Sequence, residues 1–128
     1  LESEGRALDL DRLRSGVTAV FDDHARGFYY LAEVSGRVAG QLLITTEWSD
    51  WRNGVIWWIQ SVYVFPEYRK QGVFRTLFKH IENLARADPQ VKALRLYVMQ
   101  NNNTGQRTYH NLGMNDSGYI VFEKEGFT

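Results

Sequence analysis

Ser61-Val-Tyr-Val-Phe-Pro-Glu-Tyr-Arg-Lys-Gln-Gly-Val-Phe-Arg75 decides the fold. Its apolar start reads as the end of a strand closing at Val64, Pro66 anchors a turn, and Arg69-Lys-Gln-Gly72 opens directly onto an amphipathic helix. Gly72 has no Cβ, so a bulky anion can approach the backbone there. A helix start offers N–H groups without intrahelical partners and the positive end of a dipole. Strand, glycine turn and helix start together make an anion cradle of the kind that holds phosphates. The pattern points to a pyrophosphate-bearing cofactor.

The rest of the composition narrows the function classes. At 128 residues the chain is long enough for one domain, residues 1–128, with a real core. Net charge is zero, so no global field draws it to nucleic acid or to an anionic membrane, and neither is expected as a partner. Cysteine is absent, which excludes disulfides, thiolate nucleophiles and Cys-based zinc sites. His24, His80 and His110 lack ligand spacing and read as packing or surface residues; no metal site is expected. No apolar run approaches the ~20 residues of a membrane span, and no secretory signal is visible, so a cytoplasmic location is expected. The sequence starts Leu-Glu-Ser-Glu without an initiator Met, and a longer natural chain is expected.

Leu10, Leu13, Val17, Val20 and Phe21 recur at helical spacing behind Asp9 and Asp11, which predicts a helix over 9–23. Phe28 to Val34 and Val38 to Thr46 read as a hairpin joined at Ser35-Gly36. A polar, aromatic loop from Glu47 to Gly54 then leads to a strand from Val55 to Val64. The continuous apolar run in that strand is the mark of a central position with both faces covered. Val73, Leu77, Ile81 and Leu84 stripe the helix after Gly72, which Asp88-Pro89 ends. Val91 to Met99 reads as a strand, Thr104 to Leu112 as a short helix closed by Gly113, and Tyr119 to Lys124 as a last strand. The order α-β-β-β-α-β-α-β gives an α+β (mixed α/β) fold, antiparallel strands first and then a β-α-β unit with a parallel pair.

Val64-x-Pro66-x-x-Arg69-x-x-Gly72, followed by Asn102-x6-Tyr109-x3-Gly113-Met114, resembles the GNAT superfamily of acyl-CoA-dependent N-acetyltransferases from about residue 9 onward. Within it, the Glu47–Asp50–Trp51 loop and the Trp58–Val64 strand look loosely like the diamine (spermidine/spermine) N-acetyltransferases. The resemblance implies a central mixed sheet, mainly antiparallel with one splayed parallel pair, and helices on both faces. On that resemblance, the chain is expected to start at the fold's second helix, without the usual first strand and helix. It also implies acetyl-CoA as cosubstrate, lying where the parallel pair splays. Pyrophosphate would sit on the backbone of Gln71, Gly72, Val73, Phe74 and Arg75, and the main chain of Val62, Tyr63 and Val64 would pair with pantetheine as an added strand does. Asn102 would reach the pantetheine arm or the thioester side, and Tyr109 the CoA sulfur, making these two the catalytic candidates. A homodimer is implied as well.

Two residues depart from the family pattern. Phe74 stands where a Gly or Ala is usual, so a large side chain either narrows the cradle or turns toward the core. Gln60 stands where diamine acetyltransferases often have a carboxylate base, and an amide cannot take a proton. Arg69, Lys70 and Arg75 read either as a solvated basic face or, beside Gly72, as phosphate contacts, with Arg69 partly structural. Glu47, Trp48, Asp50 and Trp51 read equally as a site for a cationic amine and as a hydrophobic rim or dimer surface. With Gln60 they are the substrate-side candidates. Trp57 and Trp58 alternate in a strand, so one is core and the other faces a cleft or partner.

The function these readings give is transfer of acetyl from acetyl-CoA to a primary amine of a small molecule, such as a polyamine or amino acid. Attack is direct, in a ternary complex. The competing readings are a non-catalytic CoA-binding or sensor module and a protein N-terminal or lysine acetyltransferase.

Overall fold

Asp9 starts the first helix by accepting the Arg12 N–H at 3.1 Å, and α1 (Leu10–Asp22) follows. The structure, a computed structural model, describes residues 9–128. The expectations about what precedes residue 9 lie outside the described residues. The chain divides into two compact units, the first ending at Tyr97 and the second spanning Val98–Thr128. No helix among the described residues is long and apolar enough to cross a membrane.

The first unit holds a four-stranded sheet of β1 (Phe28–Val34), β2 (Arg37–Ser49), β3 (Gly54–Val64) and β4 (Val91–Leu96), in that spatial order. β1, β2 and β3 are joined antiparallel, and α2 (Val73–Ala87) crosses over to bring β4 parallel to β3. Ser35 and Gly36 both take positive φ (51° and 79°), the backbone of a two-residue hairpin turn matched to the strand twist.

Alternation along β1 places the helices. Tyr29 stacks on Phe21 of α1 with centroids 5.4 Å apart, while Tyr30 meets His80 of α2 edge-on at 5.6 Å. Successive strand residues point to opposite faces, so α1 and α2 cover opposite faces of the sheet. Burial raises the Tyr29 phenol pKa above its ordinary value, keeping it neutral under α1. On the α2 side, Leu42, Ile44 and Ile59 pack with Leu77, Phe78 and Ile81 into the buried core. Trp57 joins them, edge-on to Phe28 at 5.6 Å. Gly40 lets the helix start come close: a Cβ there would sit 2.9 Å from Val73 Cγ1.

Several boundaries differ from the sequence reading, and one element is corrected. β2 runs on to Ser49, so Glu47 and Trp48 are strand residues and the loop shrinks to a tight turn around Asp50 and Asn53. Cross-strand pairing of Glu47 with Ile56 and Trp48 with Val55 outweighs the polar composition that reads as loop. β4 ends at Leu96, short of Met99. In the second unit, α3 (Asn103–Asn111) forms as expected, and Gly113 follows it at φ 89°. Residues 119–124, read as a last strand, form none; Tyr119 and Phe122 are 73% and 90% exposed. β-branched and aromatic residues favour a strand only where a neighbour supplies the hydrogen bonds, which local composition does not encode.

Leu42 is fully buried at the centre of the sheet. Leu42→Ala is expected to lower unfolding stability by about 3 kcal/mol in denaturant titration. Trp51→Ala, at a side chain 91% exposed, is expected to change it by less than about 0.5 kcal/mol.

Candidate functional site

β3 is the element on which the candidate residues converge. It pairs with β2 along its whole length, from Gly54 opposite Ser49 to Val64 opposite Gly40. Leu43 faces Ser61 and Ile44 faces Ile59, so Gln60 is the extra residue of a β-bulge. Pairing with β4 stops at Ile59 opposite Leu96, immediately before that bulge. From Gln60 to Val64, β3 therefore continues past the end of β4 with its outer edge outside the ladder. Val62, Tyr63 and Val64, named for pantetheine, lie on this stretch.

Beyond Val64 the chain turns through a short 3₁₀ helix, Pro66–Tyr68, and reaches α2. Arg69 fixes this turn: its Nε donates to the Val64 carbonyl at 2.9 Å and its guanidinium lies 5.5 Å from the Tyr63 ring centroid. That is a structural task for Arg69. The Gln71 side-chain amide likewise folds back and donates to the Glu67 carbonyl at 2.9 Å. Lys70 and Gly72 both take left-handed backbone, φ 63° and 80°. Gly72 is the N-cap of α2 and gives it no side-chain cap. A Cβ on Gly72 would meet nothing within 4 Å, so the space in front of the helix start is open among the described residues. Val73 is buried and Phe74 turns along the helix toward Phe78, ring centroids 6.1 Å apart, instead of filling the cradle. A helix start with open space before its N-cap glycine is suited to an anion.

A polar group lies on the face of the sheet that turns away from α2. Thr45 pairs with Trp58 and Glu47 with Ile56, so Thr45, Glu47 and Trp58 share that face. The Thr45 hydroxyl donates to Gln60 Oε1 at 3.1 Å, and the Trp58 indole N–H donates to Glu47 Oε1 at 2.8 Å. Trp58 also packs against Tyr97, centroids 4.6 Å apart, and carries the Arg95 guanidinium at 5.9 Å. Sequence reasoning missed Thr45, Arg95 and Tyr97. Strand alternation with the register known would have found them, and the register is not readable from one strand alone.

The structure separates the other substrate-side candidates from this group. Asp50 and Trp51 sit at the β2–β3 turn, where Asp50 Oδ1 accepts the Trp51 N–H at 2.8 Å. Trp48 points to the opposite face from Glu47, as alternation requires. In the second unit, Asn102 is the N-cap of α3: its Oδ1 accepts the Gly105 N–H at 2.9 Å. Tyr109 lies in the last turn of the same helix. No cluster of His, Asp and Glu among the described residues could hold a metal ion.

Comparison with known proteins points one way. Residues 3–114 match the acetyltransferase (GNAT) family. The crystal structure of a possible acetyltransferase from Clostridium difficile 630 is 42% identical, with TM-score 0.92, covering 99% of this chain and 84% of that one. A ribosomal-protein-alanine N-acetyltransferase from Brucella melitensis biovar Abortus 2308 shares the fold at 15% identity and TM-score 0.74, over 96% of this chain and 85% of that one. So does an aminoglycoside N-acetyltransferase in complex with CoA, at 17% identity and TM-score 0.68, over 91% and 87%. No curated protein matches the chain. The closer likeness to diamine acetyltransferases gains no support from these relatives.

Asn102→Ala removes a helix cap and is expected to cost about 1 kcal/mol of stability whatever else Asn102 contacts. Asn102→Asp keeps an acceptor for the Gly105 N–H and should retain that stability in thermal or denaturant unfolding.

Proposed function

Because the chain belongs to the acetyltransferase (GNAT) family, we propose that it acetylates a primary amine of a small molecule, with both substrates bound at once. It is an acyl-CoA-dependent N-acetyltransferase, and its donor is acetyl-CoA. The observation that supports the donor's placement most is the coincidence at β3. The outer edge leaves the β4 ladder from Gln60 to Val64, and a short turn through Pro66–Tyr68 then brings the chain to the start of α2 at Gly72, which has no side-chain cap.

Acetyl-CoA supplies an acetyl group activated as a thioester. The chain's own part is to bind and orient. Backbone of Gln71, Gly72, Val73, Phe74 and Arg75 holds the pyrophosphate, with Lys70 and Arg75 adding charge. Val62, Tyr63 and Val64 main chain holds the pantetheine arm, and an N–H of this edge polarises the thioester carbonyl. Absence of cysteine removes the thiolate route to an acyl-enzyme and favours direct attack by the amine nitrogen. On the family motif, Asn102 orients the donor and Tyr109 gives a proton to the departing thiolate. A thiol of pKa ~8.5 leaves partly unaided, so Tyr109 helps without being indispensable.

The amine must lose a proton before it attacks. Gln60 orients water but cannot accept that proton, so solvent takes it, directly or through a water chain. A homodimer in the cytoplasm completes the proposal; Trp51, 91% exposed at the hairpin tip, is the kind of side chain that interfaces use.

Acetyl-CoA is expected to raise the melting temperature by mass action, and Gly72→Asp to abolish the shift by setting a carboxylate against the pyrophosphate. Equal calorimetric affinity in the two proteins would exclude the cradle. Tyr109→Phe should lower turnover while leaving acetyl-CoA affinity nearly unchanged; matching rates would remove Tyr109 from the mechanism. With an alkylamine acceptor the rate should climb with pH toward the amine's own pKa of about 10.4, with no limb near the ~6.5 of a histidine. A plateau by about pH 7.5 would instead identify a protein base.

A further inference from the structure

β4 is the last strand of the sheet. β3 pairs with one side of it, and its outer side faces no strand among the described residues. A row of unpaired N–H and C=O groups is a template for another strand. The side chains along it are incompletely covered as well. Leu94 pairs with Trp57, so it points to the face that α2 packs on, yet Leu94 and Leu96 are only half-buried. Lys92, in the same row by alternation, is exposed; a lysine at such an edge repels strands that cannot match its charge.

Residues 119–124 supply what this edge lacks. Tyr119-Ile-Val-Phe-Glu-Lys124 spans six residues, the length of β4. Ile120, Val121 and Phe122 are consecutive and 71%, 66% and 90% exposed, an apolar patch of the kind that marks an interaction surface. A strand laid on β4 of its own chain would extend the sheet and bury one row of these side chains. The segment forms no strand and stays exposed, so it is available to a second copy. Set antiparallel and end to end against β4, it brings Val121 opposite Leu94 and Glu123 opposite Lys92. That alignment covers a half-buried leucine and pairs opposite charges across the strands. The parallel alignment would set Ile120 against Lys92 and Lys124 against Leu96, matching neither.

We propose that two copies of this chain exchange the segment: residues 119–124 of each add antiparallel to β4 of the other. The exchange is reciprocal, so both open edges close within one twofold dimer. It rests on the homodimer of the preceding subsection and names a contact surface for it.

Light scattering on the full chain should give a dimer for the wild type and a folded monomer for Val121→Asp, whose carboxylate is exposed in the single chain and buried only after exchange. Lys92→Glu should weaken the dimer several-fold, and Glu123→Lys in the same chain should restore it. The chain has no cysteine, so Leu94→Cys/Val121→Cys carries two thiols and no others. A short bismaleimide should join it into a covalent dimer, with positions 94 and 121 linked in peptide maps. The charge reversal and the cross-link decide the question even where Val121→Asp misfolds. A monomeric wild type, or a 94–121 link within a single chain, overturns the exchange. A dimer that withstands Val121→Asp and gives no 94–121 link also overturns it, while leaving the homodimer itself standing.

Discussion

β3 is bonded to β2 along its whole length but to β4 along only its first half, and this asymmetry organises the molecule. The Gln60 bulge is its local cause. One extra residue interrupts the ladder and increases the strand twist, and a short parallel neighbour ending at Leu96 does not follow it. Among the described residues, the outer edge of the strand is then unpaired with β4, next to the polar face that carries Thr45, Gln60, Glu47 and Trp58. The same strand delivers the chain into the turn held by Arg69 and onto α2 at Gly72. Packing sustains the arrangement: Gly40 admits Val73 closely, and Leu77, Phe78 and Ile81 seat α2 on the sheet.

In the proposed reading of this site, backbone, more than side chains, does the binding. A strand edge presents N–H and C=O groups at fixed spacing, and a helix start presents N–H groups and a dipole end. Neither needs a particular side chain, which is why Phe74 can stand where a small residue is usual. Its ring lies along α2 toward Phe78, so the cradle keeps its backbone. The Arg69 side chain, by contrast, is a strut between turn and strand.

Much of the fold was legible because its signals are local. Hydrophobic spacing located α1 and α2 within a residue or so, β1 was placed to the residue, and Gly72 marked the helix start with its positive φ. Two kinds of information were not local. Register was one: whether Glu47 is loop or strand depends on Ile56 opposite it, and the pairing of Glu47 with Trp58 depends on the same register. Partnership was the other: Tyr119 to Lys124 has a strand's composition, yet composition supplies no hydrogen-bonding neighbour. Of the candidate site, the Gly72 start of α2 was readable and the Asn102 cap was not. An Asn placed in a ligand motif can equally satisfy the first N–H groups of the helix that follows it, and Asn102 does so for α3.

The claim that the β3 edge and the α2 start together hold acetyl-CoA is tested most directly by amide hydrogen exchange with and without acetyl-CoA. The account predicts slowed exchange concentrated at Gln60 to Val64 and at Gln71 to Arg75, with the β1–β2 hairpin turn at Ser35 and Gly36 unchanged. Binding that leaves both of those segments unprotected, or that protects the hairpin turn instead, would contradict it.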